Sequence, residues 1–398
     1  MHYISTPKND LEHPALVFDE NILRDYLEQA KRICTEANCS FLYSLKACST
    51  PAILEIIQEY VEGFSCSSVF EATLANQILF ENQKVQYISP GIREQEIKSI
   101  AKLANLISAN SKHHCNLLAK NNLKFGVRIN PQLSFAKDLR YDPCKPNSKL
   151  GITIPEFLDF YNSNTKIADT IIGLHFHTNC DSETFAPLLK TVKHLADKMP
   201  HILEHLEWIN LGGGYYFTDD MDYEFLIEAV EILKSKFGVE VFVEPGGAII
   251  RDSGSIYTQI IDLFKNDDQE IAIVDTTTNH IPEVFEYQYS PTVKQSIEIG
   301  KNIYQIAGCS CLAGDIFGIY SFAENLQIGD VLEIKEAGAY SCVKSTMFNG
   351  ICTPTIYLKN AEIFTKIHSP CYSDFINRCG GNLDASCRPA NYNTSSKQ

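Results

Sequence analysis

Nowhere in the 398 residues does an unbroken apolar run approach the roughly eighteen positions that a membrane-spanning helix needs. The start, Met1-His2-Tyr3-Ile4-Ser5-Thr6-Pro7-Lys8, lacks the charged region and apolar core of a secretory signal, so a cytoplasmic protein is expected. Positive charge is scarce: 34 Lys and Arg stand against 49 Asp and Glu, a formal net charge of −15. Nucleic acids and anionic membranes both need clustered cations, so neither is an expected partner, whereas a cationic ligand is compatible. The 14 cysteines contain no Cys-x-x-Cys pair. Cys309 and Cys311 are too close for zinc spacing, and His113-His114-Cys115 has no matching second half, so reduced thiols and no structural metal are expected. There is no internal repeat beyond the alternation described next.

The length exceeds what one hydrophobic core usually holds, which predicts a large domain plus a smaller one. Short β-rich runs alternate with amphipathic stretches of helical period: Phe41–Ala47, Gly63–Ser67, Val85–Pro90, Leu106–Ala109, Phe125–Asn130, Ile171–His177, Trp208–Gly212 and Val241–Glu244. Helical patterns lie between them at Pro51–Val61, Ser68–Glu81, Arg93–Leu103, Pro155–Asn162, Thr184–Met199 and Asp222–Lys236. Eight strand candidates with intervening helices predict an α/β fold, a (β/α)8 barrel over residues 20–250. Beyond it, strand-like runs at Ile256–Leu263, Ile271–Asp275, Asn302–Ala307 and Val331–Ile334 predict a β-domain over 251–398, joined by residues 1–19. The end, from Gly380-Gly381, reads as a loose tail.

Barrel enzymes collect their chemistry at the C-terminal ends of the strands, which here carry Lys46, Ser67, Arg128, His177, Gly212–Gly214 and Glu244. A lysine desolvated at a barrel mouth loses preference for its ammonium form and offers a free amine to an aldehyde; otherwise Lys46 merely reaches solvent. Gly212, Gly213 and Gly214 lack Cβ atoms and suit a phosphate cradle or a plain tight turn, with Gly246-Gly247 as a second flexible edge. Glu244 ends an apolar strand and needs a cation: a protonated pyridine nitrogen, an ion pair with Arg128, or both. His175 and His177 share one face, suiting an aromatic stack better than a zinc pair. In the β-domain, Cys311 and Asp315 sit four residues apart in a glycine-bounded loop, a thiol that could donate a proton and a carboxylate that could bind an amine.

Together these segments resemble the fold-type III pyridoxal-phosphate decarboxylases, the group that includes ornithine, diaminopimelate and carboxynorspermidine decarboxylases, with the last the nearest. The resemblance runs over nearly the whole chain through Tyr43-Ser44-Leu45-Lys46-Ala47, Gly126-Val127-Arg128-Ile129-Asn130-Pro131 followed by Tyr141-Asp142-Pro143-Cys144, Gly173-Leu174-His175-Phe176-His177-Thr178, Asn210–Gly214, Glu244-Pro245-Gly246, His280-Ile281-Pro282-Glu283-Val284, Cys311–Asp315, and Ala337-Gly338-Ala339-Tyr340-Ser341 with Phe348-Asn349-Gly350. It implies pyridoxal 5′-phosphate as cofactor, carried by Lys46, stacked on by His177, held at its nitrogen by Glu244 and at its phosphate by Gly212, Gly213, Gly214 and Tyr340. Arg128 would orient the site, and Gly246 would border the cofactor. The resemblance further implies a homodimer in which Cys311, as proton donor, and Asp315 come from the second subunit.

Three positions depart from the nearest group: Gly247 where Glu commonly follows Glu-Pro-Gly, Asn179-Cys180-Asp181 where Leu-Cys-Glu is usual, and Ser290 where arginine is frequent. They bear on the substrate rather than the chemistry. The expected reaction is decarboxylation of carboxynorspermidine or carboxyspermidine, with Asp181, Glu283, Glu286 and Asp315 meeting the distal ammonium groups. The rivals are another amino acid (diaminopimelate, ornithine, or an aminopropyl-type group on a specialised metabolite) and a non-catalytic paralogue that binds a related enzyme. Leu312 after Cys311 weighs against diaminopimelate, whose enzymes usually place an acid there.

Overall fold

Strands rich in β-branched and aromatic residues bury both faces only when helices cover the outside, and the chain solves this with a closed parallel barrel. The computed structural model describes residues 4–6 and 10–381; residues 382–398 of the expected tail lie outside the described residues. The barrel strands are β1 (Ser40–Ser44), β2 (Gly63–Cys66), β3 (Lys84–Ile88), β4 (Leu106–Ala109), β5 (Phe125–Asn130), β6 (Ile171–His175), β7 (Trp208–Asn210) and β8 (Glu240–Val243). Each pairs in parallel with the next, and β8 closes on β1 through Phe242 opposite Ser40 and Val243 opposite Phe41.

Strand parity sorts the interior into layers. Leu42, Leu106, Trp208 and Phe242 form a separate apolar cluster. Gly126 and Gly173 make room for it: a Cβ on either would fall 2.4 Å and 2.1 Å from the Trp208 ring. Two residues further along each strand the interior turns polar, with Ser44, Ser65, Gln86, Ser108, His175, Asn210 and Glu244 all buried. Gln86 donates to the Ser108 hydroxyl (3.2 Å), and Asn210 donates to Gln86 (2.5 Å). The apolar layer closes the barrel below this polar one, so the polar layer opens only toward the C-terminal mouth.

The longest helix, Glu20–Glu36, was not among the expected helical stretches, although its buried Leu23, Leu27, Ala30, Ile33 and Cys34 follow helical spacing. Asp19 caps it, its side chain accepting the N–H groups of Asn21 (3.1 Å) and Ile22 (3.4 Å). A second unanticipated helix, Lys112–Lys120, is capped by Ser111, which accepts the His114 N–H at 3.2 Å.

After β8 a single turn, Gly247–Ile250, leads out of the barrel into the second sheet. Its order is Ile4–Thr6, Ile363–His368, Thr355–Asn360, Ala15–Asp19, Gly254–Asn266, Gln269–Val274, Asn302–Ala307 and Ile316–Phe322, with Val331–Ile334 also on Gly254–Asn266. The 13-residue strand Gly254–Asn266 forks: Ile256–Gln259 pair with 331–334, and Ile260–Asn266 pair with 269–274 in a ladder whose register breaks between Ile260 and Asp262. Ala15–Asp19 lies between Gly254–Asn266, antiparallel, and Thr355–Asn360, parallel.

Candidate active site

Lys46 does not end β1 but stands in the turn after it, where three backbone bonds fix its neighbours. Leu45 donates to Ser65 O (3.0 Å), Ala47 donates to Ser44 O (3.1 Å), and Ala47 O accepts the N–H of Tyr340 (2.8 Å) from the other domain. The flanking Leu45, Ala47 and Cys48 are buried, while the lysine side chain itself is exposed to a cavity of about 730 Å3. Desolvation, opposed by Glu244 and assisted by Arg128, holds the amine below the ordinary lysine range.

Arg128, His175, His177 and Glu244 line the same cavity. His175 Nε2 lies 3.5 Å from Glu244 Oε2, long for a hydrogen bond, and both imidazole nitrogens lack a full partner among the described residues. Burial drives His175 toward its neutral form. Glu244 is deprotonated, because its His175, Ser65 and Lys46 neighbours outweigh a desolvation that would raise it. His177 is also held neutral, chiefly by burial and then by Lys46 and Arg128. Its Nδ1 accepts the Gly213 N–H at 3.1 Å, which puts the remaining ring proton on Nε2 and fixes the imidazole against the glycine loop.

That loop differs from the cradle read in the sequence. Gly212 N–H donates to Asn210 Oδ1 (2.7 Å) and Gly213 N–H to His177, leaving only Gly214 N–H without an acceptor among the described residues. The glycines are needed for close packing. A Cβ on Gly213 would stand 2.2 Å from Glu244 O, and one on Gly214, at φ +89°, 2.2 Å from Asn179 O. Gly246 likewise lets the segment after β8 lie on the Lys46 turn, a Cβ there falling 2.9 Å from that of Ser44.

From the β-domain, Tyr340 reaches the cavity in a left-handed conformation, φ +61°. Glu283 is buried at the wall, accepts the Tyr287 hydroxyl (3.1 Å), and is pushed above the usual carboxylate range by desolvation despite Arg251 and Lys344. Asp181 is exposed at the rim and pairs with Arg251 at 3.3 Å. Glu286 lies outside the lining and is paired with Lys344. Cys311 is exposed and also outside the lining. Asp315 departs from the amine-binding expectation: it is buried, and its oxygens accept Thr278 N–H (2.7 Å), Thr278 Oγ1 (2.9 Å), Ser310 N–H (3.0 Å) and Ser310 Oγ (2.5 Å). With both oxygens occupied, it orders the loop that carries Cys311. Tyr141 and Asp142, from a segment that carries the resemblance, complete the wall together with Arg140 and Arg251, which sequence reasoning missed. Arg140 lies on the loop after β5, where no periodicity points, and Arg251 lies at the expected domain boundary.

Among the polar groups of the cavity that lack intramolecular hydrogen-bond partners among the described residues are Lys46 Nζ, Glu244 Oε1 and Gly214 N–H. They match three polar features of pyridoxal phosphate, its aldehyde, its basic ring nitrogen and its phosphate, so the residues present fit that cofactor. The family profile described as the pyridoxal binding domain of pyridoxal-dependent decarboxylases matches residues 21–251. A carboxynorspermidine/carboxyspermidine decarboxylase of Campylobacter jejuni is 30% identical over 365 residues, 87% of this chain and 93% of its own. A carboxyaminopropylagmatine decarboxylase of Synechocystis is 30% identical over 383 residues, 94% and 96% of the two chains. The crystal structure of carboxynorspermidine decarboxylase complexed with norspermidine from Campylobacter jejuni superposes with a TM-score of 0.83 at 28% identity, covering 92% of this chain and all of that one. A Helicobacter pylori diaminopimelate decarboxylase shares the fold, with a TM-score of 0.82 at 18% identity. With a lysine, a carboxylate and a glycine loop gathered at the mouth of a parallel barrel, and with similarity along most of its length, this chain belongs to the pyridoxal-dependent decarboxylases.

Proposed function

We propose that this decarboxylase acts on a carboxylated polyamine, carboxynorspermidine or carboxyspermidine, and releases norspermidine or spermidine. The observation that carries the reading is a carboxylate on the cavity wall, Glu283, which is buried, lines the cavity that Lys46 also lines and suits an ammonium-bearing tail. The similarity to an enzyme named for those two substrates supports it.

Bound pyridoxal phosphate supplies an electron-poor ring that accepts the electron pair left when the carboxylate departs as carbon dioxide. The protein's part is to bind, orient and move protons. Lys46 offers a neutral amine to the cofactor's aldehyde, helped by desolvation. Glu244, ionised and with Oε1 free, keeps a proton on the ring nitrogen. His177, locked by Gly213, presents its ring face, and Arg128 beside Glu244 orients the floor. Gly214 and Tyr340 receive the phosphate, with Gly212, Gly213 and Gly246 shaping the loops that make room for it. Glu283 takes an ammonium group, while Asp181 is held in its pair with Arg251 and Glu286 acts through its pairing with Lys344 at the rim.

The same reading has the chain working in the cytoplasm as a homodimer. Cys311 is exposed on the β-domain and outside its own chain's cavity lining, which supports delivery of its thiol to the cavity of a second copy, where it protonates the carbon that has lost carbon dioxide. Carbon dioxide release measured across carboxynorspermidine, carboxyspermidine, carboxyaminopropylagmatine, ornithine and diaminopimelate tests the assignment. Highest kcat/KM on one of the first two is expected. Turnover confined to ornithine or diaminopimelate, or no release from any of them by cofactor-loaded protein, would overturn it.

A further inference from the structure

The cavity wall holds an arginine, Arg251, to which neither the fold nor the chemistry above gives a task. It sits one turn beyond Gly247, its N–H donating to Gly247 O (2.9 Å), so both residues lie on one side of that turn. The glycine lies beside the guanidinium. An ideal Cβ on Gly247 would lie 3.5 Å from Arg251 Nη2 and 3.6 Å from the Tyr340 ring, so the guanidinium and the phenol border the same small volume. Its one ion pair, with Asp181 at 3.3 Å, is made at the rim, where that carboxylate is half exposed. Its Nε is buried and has no hydrogen-bond partner among the described residues. Asp181 follows Asn179-Cys180, the backbone that packs against Gly214, so the guanidinium lies on the side of the cavity where the unpartnered Gly214 N–H also lies.

A guanidinium has five donors in a fixed fork and suits a tetrahedral oxyanion better than one partly solvated carboxylate does. A dianion placed against a single orphan N–H and a phenol needs a cation, and Lys46 is committed to the aldehyde. We propose that Arg251 is an anchor for the cofactor's phosphate, with Asp181 holding the guanidinium in place. This rests on the reading that the Gly214 side of the cavity receives the phosphate.

The test uses the full-length chain freed of cofactor and titrated, by absorbance, with pyridoxal 5′-phosphate and separately with pyridoxal, which lacks the phosphate. Wild type should prefer the phosphorylated form; if it does not, the placement of the phosphate fails before Arg251 is altered. Arg251→Gln should weaken pyridoxal phosphate binding by roughly ten- to a hundredfold while leaving pyridoxal binding unchanged. Arg251→Lys should keep part of the preference. Unchanged pyridoxal phosphate affinity in Arg251→Gln overturns the proposal, and if KM for the substrate rises instead, the guanidinium serves a substrate carboxylate. Equal loss of both ligands also overturns it, since that marks a structural role.

Discussion

Desolvation drives Lys46 and Glu283 in opposite directions along the pH scale, and this makes both of them liabilities for folding. The folded pKa of Lys46 lies below its unfolded value, so between the two the unfolded chain binds more protons and stability rises with pH. The penalty is complete below the folded pKa and gone above the unfolded one. Glu283 behaves the other way: its folded pKa is raised, so stability falls as pH climbs from the ordinary glutamate value through the folded one. Accordingly, Lys46→Met and Glu283→Gln should each raise the melting temperature of the cofactor-free chain at neutral pH while abolishing turnover in the first case and raising substrate KM in the second. A lower melting temperature for both would remove the electrostatic argument. Glu244→Gln is the opposite kind of change. It should retain the cofactor but lose about 3 kcal/mol of transition-state stabilisation, a rate deficit of roughly two orders of magnitude read as kcat.

At the scale of elements, the glycines divide into those the fold requires and one that it does not. Gly213→Ala and Gly214→Ala drive a Cβ to 2.2 Å from neighbouring carbonyl oxygens, and Gly214 adds a positive φ, so a loss of about 2–3 kcal/mol in unfolding free energy is expected for either. Gly247→Ala meets only ordinary contacts, 3.5 Å and beyond, and should melt within a degree or two of wild type, a comparison that thermal denaturation settles directly. These distinctions could not be read from Gly212–Gly214 as letters, because the obstructing atoms belong to Phe176, Asn179 and Glu244 on other loops. All eight barrel strands were legible as apolar runs, since each is buried on both faces. Their ends were not: Lys46 moved from strand to turn because Tyr340, some 300 residues away in sequence, fixes its neighbour Ala47. The strand Ile316–Phe322 escaped notice because its Ile316 and Ile319 face outward and blur the alternation. Helix Glu20–Glu36, by contrast, is legible in the spacing of Leu23, Leu27, Ala30, Ile33 and Cys34. Asp315 shows the limit from the other direction. A carboxylate four residues from a thiol suggests a ligand, and only the two residues that donate to it, Thr278 and Ser310, reveal that it is a brace.

For the whole molecule, the proposed sharing of sites between two copies makes a prediction about mixtures. Lys46→Ala and Cys311→Ala homodimers should both turn over poorly, yet a verified heterodimer of the two contains one site with neither defect and should recover activity toward half of wild type per dimer. Inactive heterodimers would show that Cys311 acts on its own chain or not at all. The division of the chain between the two sheets has another consequence. Ala15–Asp19 takes its place between Gly254–Asn266 and Thr355–Asn360, and Asp19 is tied to Lys359 by a 2.6 Å ion pair. A ribosome releases that strand 340 residues before its second neighbour, so during synthesis the barrel can assemble while the strand at its doorway has nothing to pair with. Biogenesis thus leaves an unpaired edge exposed until residues 355–359 emerge, and a nascent chain halted before residue 355 is the form most in need of a chaperone.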